Sequence, residues 1–177
     1  MPGEVDGRDA VEVLEELLGE KDLFRLVIRG FALICEELDE AVANAFGGPI
    51  PSDLSRLRLP ARLALAQALG AVTPELSVAI QRLGKIRHRL AHTVAGEATD
   101  EEVRGVWDAI SGEGDELEHA DPDEYSPGDQ LRLAISAIWG AVDNAGADAY
   151  VQRAEAQNAL TAYQERRDAR ARELTRA

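Results

Sequence analysis

Apolar residues recur at intervals of three and four along most of the chain, and one-for-one alternation is hard to find. That period is the period of helices, so the chain predicts an all-α fold. Val11, Leu14, Leu17 and Leu18 predict a short first helix after Asp9, closed by Gly19. Asp22 is placed to cap a longer second helix. Its stripe is Leu23, Leu26, Val27, Gly30, Phe31, Ile34, Leu38, Val42 and Phe46, with Gly47 and Gly48 as the stop.

Pro49, Pro51 and Ser52 predict a break, and the pattern resumes from Leu54 through Leu57, Leu63, Leu65 and Leu69 to Gly70. Thr73, Pro74 and Glu75 form an N-terminal signature: a capping hydroxyl, a proline at the first helical position and a carboxylate in the first turn. The helix they open should run from about Pro74 to His92, with Leu76, Ile80, Leu83, Ile86 and Leu90 on one side. Thr99 with Glu102 fits a capping box that starts a helix through Val103, Val106, Trp107 and Ile110.

Residues 111–129 then change character, with eight acids, no Lys or Arg, and several Gly and Pro, which predicts a mobile acidic loop. Ser126 and Pro127 restart a helix carrying Leu131, Leu133, Ile135, Ile138, Trp139 and Val142. Trp107 and Trp139 share helical spacing with other apolar residues and are expected in the core. From Asn144 onward large apolar residues thin out to Tyr150, Val151, Leu160, Tyr163 and Leu174, as in a protruding helix or a frayed tail. The pattern therefore gives a compact helical bundle of five to seven helices over residues 1–148, followed by a C-terminal helix or tail over 149–177.

A chain of 177 residues with 45% hydrophobic content can build one core. Its single cysteine, Cys35, lies in an apolar run, which fits a buried thiol in a reducing cytoplasm. The first residues lack a basic, then apolar, leader pattern, and no apolar stretch reaches about 18 residues, so neither export nor a membrane span is expected. Thirty-three acids against 19 bases give a formal charge of −14, which argues against coating of double-stranded DNA.

That charge is unevenly distributed. Residues 54–92 hold Arg56, Arg58, Arg62, Arg82, Lys85, Arg87 and Arg89 against the one acid Glu75, a net of +6 that leaves −20 for the rest. His88 and His92 fall in the same segment, whereas His119 sits among acids and reads as a solvated surface residue. Gly84 and Lys85 lack the rest of a phosphate loop, and Gly112 with Gly114 follows no strand, so nucleotide sites of those kinds are excluded.

The run Ile86, Arg87, His88, Arg89, Leu90, Ala91, His92 resembles the R-x4-H motif of the HEPN superfamily. The wider segment, roughly residues 22–110, is similar to mannitol operon repressor-like proteins. In these a helix, a Leu-Gly turn and a second helix ending in an Arg-to-His motif follow in that order. His88 stands where such families often carry asparagine. The resemblance implies an HEPN-like helical domain that works as a homodimer. For catalytic members it implies metal-independent cleavage of RNA, of the toxin or defence kind, with Arg87 and His92 at the site, His88 as assistant and no cofactor.

The chemistry suits those side chains. A ribose 2′-hydroxyl attacks the adjacent phosphate, an arginine fork can hold the phosphoryl oxygens, and an imidazole can exchange the proton near neutral pH. Arg82, Lys85, Arg89, Arg56, Arg58 and Arg62 are the accompanying candidates for binding RNA. At about 100° per residue Arg87 and His92 lie roughly 140° apart on a straight helix, while His88 and His92 share a face. Three alternatives stay open. Two histidines one turn apart can hold a metal, although Arg89 stands where a metalloprotease helix needs Glu. Arg87 and His92 can be structural, satisfying carbonyls at the helix end. The whole domain can also be a non-catalytic regulator that binds a protein, such as an antitoxin, with acidic residues 113–124 docking a basic partner or folding back over the chain's own basic segment.

Overall fold

The second and last helices form the spine of the molecule. A computed structural model describes residues 10–47, 56–93, 97–112, 117 and 119–176, excluding the side chains of 10, 11 and 168–176. The proline-rich break at 48–55 and acidic residues 113–116 and 118 lie outside the described residues. Helix α2, Leu23–Phe46, begins where the Asp22 carboxylate accepts the backbone N–H groups of Phe24 (2.9 Å) and Arg25 (3.4 Å). It stops at Gly47, whose φ of 86° is the left-handed conformation that glycine adopts without steric cost. The last helix, α6, runs without a break over Pro127–Arg176.

Glycines let these two helices approach closely. A methyl group at Gly30 would meet Ile135 Cγ2 at 2.9 Å, and one at Gly146 would meet the Ala41 Cα at 3.0 Å. Leu23 lies by Gly128 in the same ascending order, so α2 and α6 run parallel. Leu26, Val27, Ile34, Leu38 and Val42 fill the seam from one side, and Leu131, Ile135, Ile138 and Val142 from the other.

The remaining helices wrap this pair. Helix α1, Ala10–Leu18, buries Leu14 and Leu17 against α2, and Arg132 of α6 donates to the Glu20 carbonyl just beyond it (2.7 Å). Helix α3, Leu59–Ala68, starts later than the leucine spacing suggests and leaves Leu57 exposed, because Pro60 belongs to the first turn. Helices α4, Pro74–His92, and α5, Asp100–Ile110, form an antiparallel hairpin. The expected helices are all present, six in number among the described residues, where no strand occurs.

One expectation changes. Residues 119–126 are pinned rather than loose. Pro122–Glu124 form a short 3-10 turn, Gln130 donates to the carbonyls of Pro122 (2.8 Å) and Tyr125 (3.1 Å), and the Tyr125 ring stacks beside Trp107 at 5.8 Å. Of the two forms expected for residues 149–177, a C-terminal helix or a tail, the helix is the one that forms. Every residue from Tyr150 to Arg167 is exposed, yet α6 continues through them as a projecting arm.

Candidate functional site

Helix α4 carries the motif, and its spacing decides which side chains reach water. Leu76, Ile80, Leu83, Ile86 and Leu90 are buried on one side. At about 100° per residue Lys85, His88 and His92 cluster within about 60° on the opposite side, and all three are exposed. The His88 and His92 rings are neighbours, with centroids 4.5 Å apart and planes tilted by 56°. The helix runs through His92 rather than ending before it, so Arg87 and His92 keep the angular separation expected on a straight helix.

Arg87 is exposed on the flank that faces α2, near enough to Cys35 for its charge to act on the thiol. Burial pushes the Cys35 thiol above its ordinary value. Arg62 and Arg87 pull the other way without overcoming it, so Cys35 is a protonated, half-buried thiol. Among the described residues no hydrogen bond or ion pair engages Arg87, and no carboxylate pairs with His88 or His92.

Several of the other bases are committed to holding the bundle together. The Arg62 guanidinium, only 11% exposed, donates to the Cys35 carbonyl (2.8 Å) and to Asp39, bolting α3 to α2. Arg89 donates to the Glu97 carbonyl (2.5 Å) and to Glu102. Glu102 is also the far member of the capping box, accepting from the Thr99 backbone N–H at 3.0 Å. Desolvation pushes the Glu102 carboxyl up, but the Thr99 backbone and hydroxyl and then Arg89 outweigh it, leaving the carboxyl below its ordinary value. Arg82 donates to the Gly105 carbonyl on α5. Arg56 and Arg58 are exposed where α3 begins.

Seven of the nine sequence candidates therefore divide, with the exposed Arg56 and Arg58 apart from them at the start of α3. Lys85, His88 and His92 form an open ridge with Arg87 on its flank, whereas Arg62, Arg82 and Arg89 join helices to one another. A cleft of about 670 Å³ between α4 and α5 opens beside this ridge, lined by Arg82, Lys85, Ile86, Glu101, Arg104 and Asp108. Its charges are mixed, and Lys85 is the residue common to cleft and ridge. Asp123, from the acidic loop, pairs with Arg104 of α5 (2.5 Å), outside the basic segment 54–92.

Asp39 and the double role of Glu102 are the structural partners that sequence reasoning missed. Asp39 has no local signature, since its partner lies on another helix. No group of three or more His, Cys, Asp or Glu side chains converges as a metal site among the described residues, and none of their helices is long and apolar enough to cross a membrane. Comparison of the chain with protein-family models, curated proteins and solved structures finds no match.

Proposed function

We propose that this protein is a cytoplasmic, metal-independent endoribonuclease of the HEPN toxin or defence type, acting through Arg87, His88 and His92. One observation supports this most: the adjacent His88–His92 pair and Arg87 are exposed and have no carboxylate partner among the described residues, while neighbouring arginines are tied into the bundle. Two imidazoles side by side supply both halves of a proton shuttle. One takes the proton from the ribose 2′-hydroxyl as its oxygen bonds to phosphorus. The other donates a proton to the departing 5′-oxygen. The products are a 2′,3′-cyclic phosphate and a 5′-hydroxyl. Arginine forks stabilise the charge on the phosphoryl oxygens. Because Arg87 and His92 diverge on one helix, two copies related by a two-fold axis complete the site, each facing the other's Arg87 with its own histidines.

Lys85, on the same ridge, extends the positive surface along a single-stranded backbone whose bases are unstacked. The test is incubation of the purified protein with single-stranded RNA in EDTA. Cleavage that leaves cyclic phosphate ends and is lost in His92→Ala and Arg87→Ala supports the proposal. Intact RNA with the wild-type protein, or cleavage that persists in His92→Ala, rejects it. A non-catalytic, mannitol operon repressor-like interaction module is favoured by a different observation, the exposed arm of α6, which is positioned to meet another helix.

A further inference from the structure

The cleft between α4 and α5 holds two charges that the bundle does not use. Arg82, Lys85 and Ile86 line it from α4, and Glu101, Arg104, Gly105 and Asp108 line it from one face of α5. Most of its charges are already engaged. Arg82 donates to the Gly105 carbonyl, Arg104 pairs with Asp108 (3.4 Å) and Asp123 (2.5 Å), and Glu102, also on the wall, is taken by Arg89. Among the described residues no hydrogen bond or ion pair engages Lys85 or Glu101, and both are exposed. The cleft thus offers a cation and a carboxylate that do not neutralise each other.

Gly105 keeps this space open. Glycine is a poor residue for a helix interior, and a close contact is one reason to find it there. Packing supplies no such reason here, because a methyl group at Gly105 would meet only Arg82, at 3.6 Å and 3.9 Å. What a larger side chain would fill is the cleft. Its volume of about 670 Å³ lies within the range of about 300–1,000 Å³ typical of small-ligand sites.

Hydrogen-bonding chemistry selects the occupant. A phosphate takes Lys85 as its counter-charge, and the planar Arg82 guanidinium, held against α5, is a surface on which a base can stack. A carboxylate only accepts hydrogen bonds, so Glu101 requires a base edge that donates. Guanine sets two donors side by side, its ring N–H and its amino group, to meet both carboxylate oxygens. Adenine and cytosine carry an acceptor beside the amino group, and uracil flanks its one N–H with carbonyls. An acceptor facing a carboxylate is repelled, so these three fit less well.

We propose that this cleft is a guanine-nucleotide pocket, with the phosphate on Lys85 and the Watson–Crick edge of the base on Glu101. Lys85 also stands on the ridge with His88 and His92, so a guanosine seated here belongs to the strand being cut. That source of the nucleotide rests on the RNA-cleaving role, and two measurements separate the two. Isothermal titration of the full chain with the four nucleoside monophosphates should show the guanosine form bound about tenfold or more tightly than the others, the discrimination of one bidentate pair. Gly105→Leu fills the space while favouring the helix, and Glu101→Gln replaces an acceptor oxygen by a donor. Each should lose the preference with unchanged helical circular dichroism. Mapping the ends of cleaved single-stranded RNA should place cuts beside guanosines for the wild type and scatter them for Glu101→Gln. Equal or absent binding of the four nucleotides, a guanosine preference that survives Gly105→Leu, or cuts spread evenly over all four bases would overturn the pocket and leave RNA cleavage standing. Selective guanosine binding with uncut RNA would instead overturn the cleavage role and make the free nucleotide the ligand.

Discussion

Gly146 of α6 rests on Ala41 of α2 with no room for a methyl group, whereas Gly140, less than two turns earlier on the same helix, faces open space. The contrast separates two opposing effects of adding a methyl group. Gly140→Ala should gain about 0.5–1 kcal/mol from helix propensity alone. Gly146→Ala must push α2 and α6 apart, and should lose about 1–3 kcal/mol net of any propensity gain. Urea unfolding followed by circular dichroism measures both, and equal effects would contradict the close approach.

Arg62 and Arg87 should behave as opposites despite both belonging to the basic segment. Removing the Arg62 guanidinium leaves Asp39 and the Cys35 carbonyl without it, so Arg62→Ala should cost about 2 kcal/mol of stability. Arg87→Ala should leave the midpoint of unfolding unchanged and abolish RNA cleavage. Measuring stability and cleavage on both variants checks the division. A destabilised Arg87→Ala would point to a structural role for that side chain.

Glu37 of α2 is half-buried, and its carboxyl is raised first by desolvation and then by the nearby charges of Asp143 and Glu40, with Trp139 offsetting part of this. The folded state thus holds this proton more tightly than the unfolded chain does. Its stabilising contribution is full below the ordinary carboxylate value and is lost as pH rises through the raised value. Glu37→Gln should therefore be more stable than the wild type at pH 7, with the gap closing in acid. Thermal melts of both proteins across pH 4 to 7 read the effect.

Glu102 has the opposite sign. Its lowered carboxyl contributes stability that is present above the ordinary carboxylate value and lost as pH falls through the lowered one. Glu102→Gln should weaken the start of α5 at neutral pH and make little difference in strong acid. Thr99→Ala, which removes the reciprocal hydroxyl, should cost about 1 kcal/mol. Amide exchange over residues 100–104 locates the fraying.

The helix boundaries were legible because capping is local. Asp22, Thr73 and the Thr99–Glu102 pair each close hydrogen bonds within three residues of themselves, so a short window of sequence contains the cause. The site was legible only in part. The spacing of His88 and His92 implied a shared face, and their rings do meet. By contrast, nothing near Arg62 or Arg89 in sequence says that their forks are occupied, because their acceptors lie on other helices or beyond a loop. The anchoring of residues 119–126 escaped notice for a similar reason. A run of acids looks solvated until Gln130, Trp107 and Arg104 arrive from neighbouring helices to hold it.

The parallel pairing of α2 with α6 has a consequence for how the protein is made. Gly30 meets Ile135 and Ala41 meets Gly146, each pair 105 residues apart in the chain. A ribosome adding about 5–20 residues per second needs on the order of 5 to 20 s to cover that separation. Throughout that interval the seam of α2 has been synthesised while its partner has not. Leu26, Ile34, Leu38 and Val42 then present an uncovered apolar face to any chaperone near the exit tunnel, and the bundle closes only after α6 has emerged.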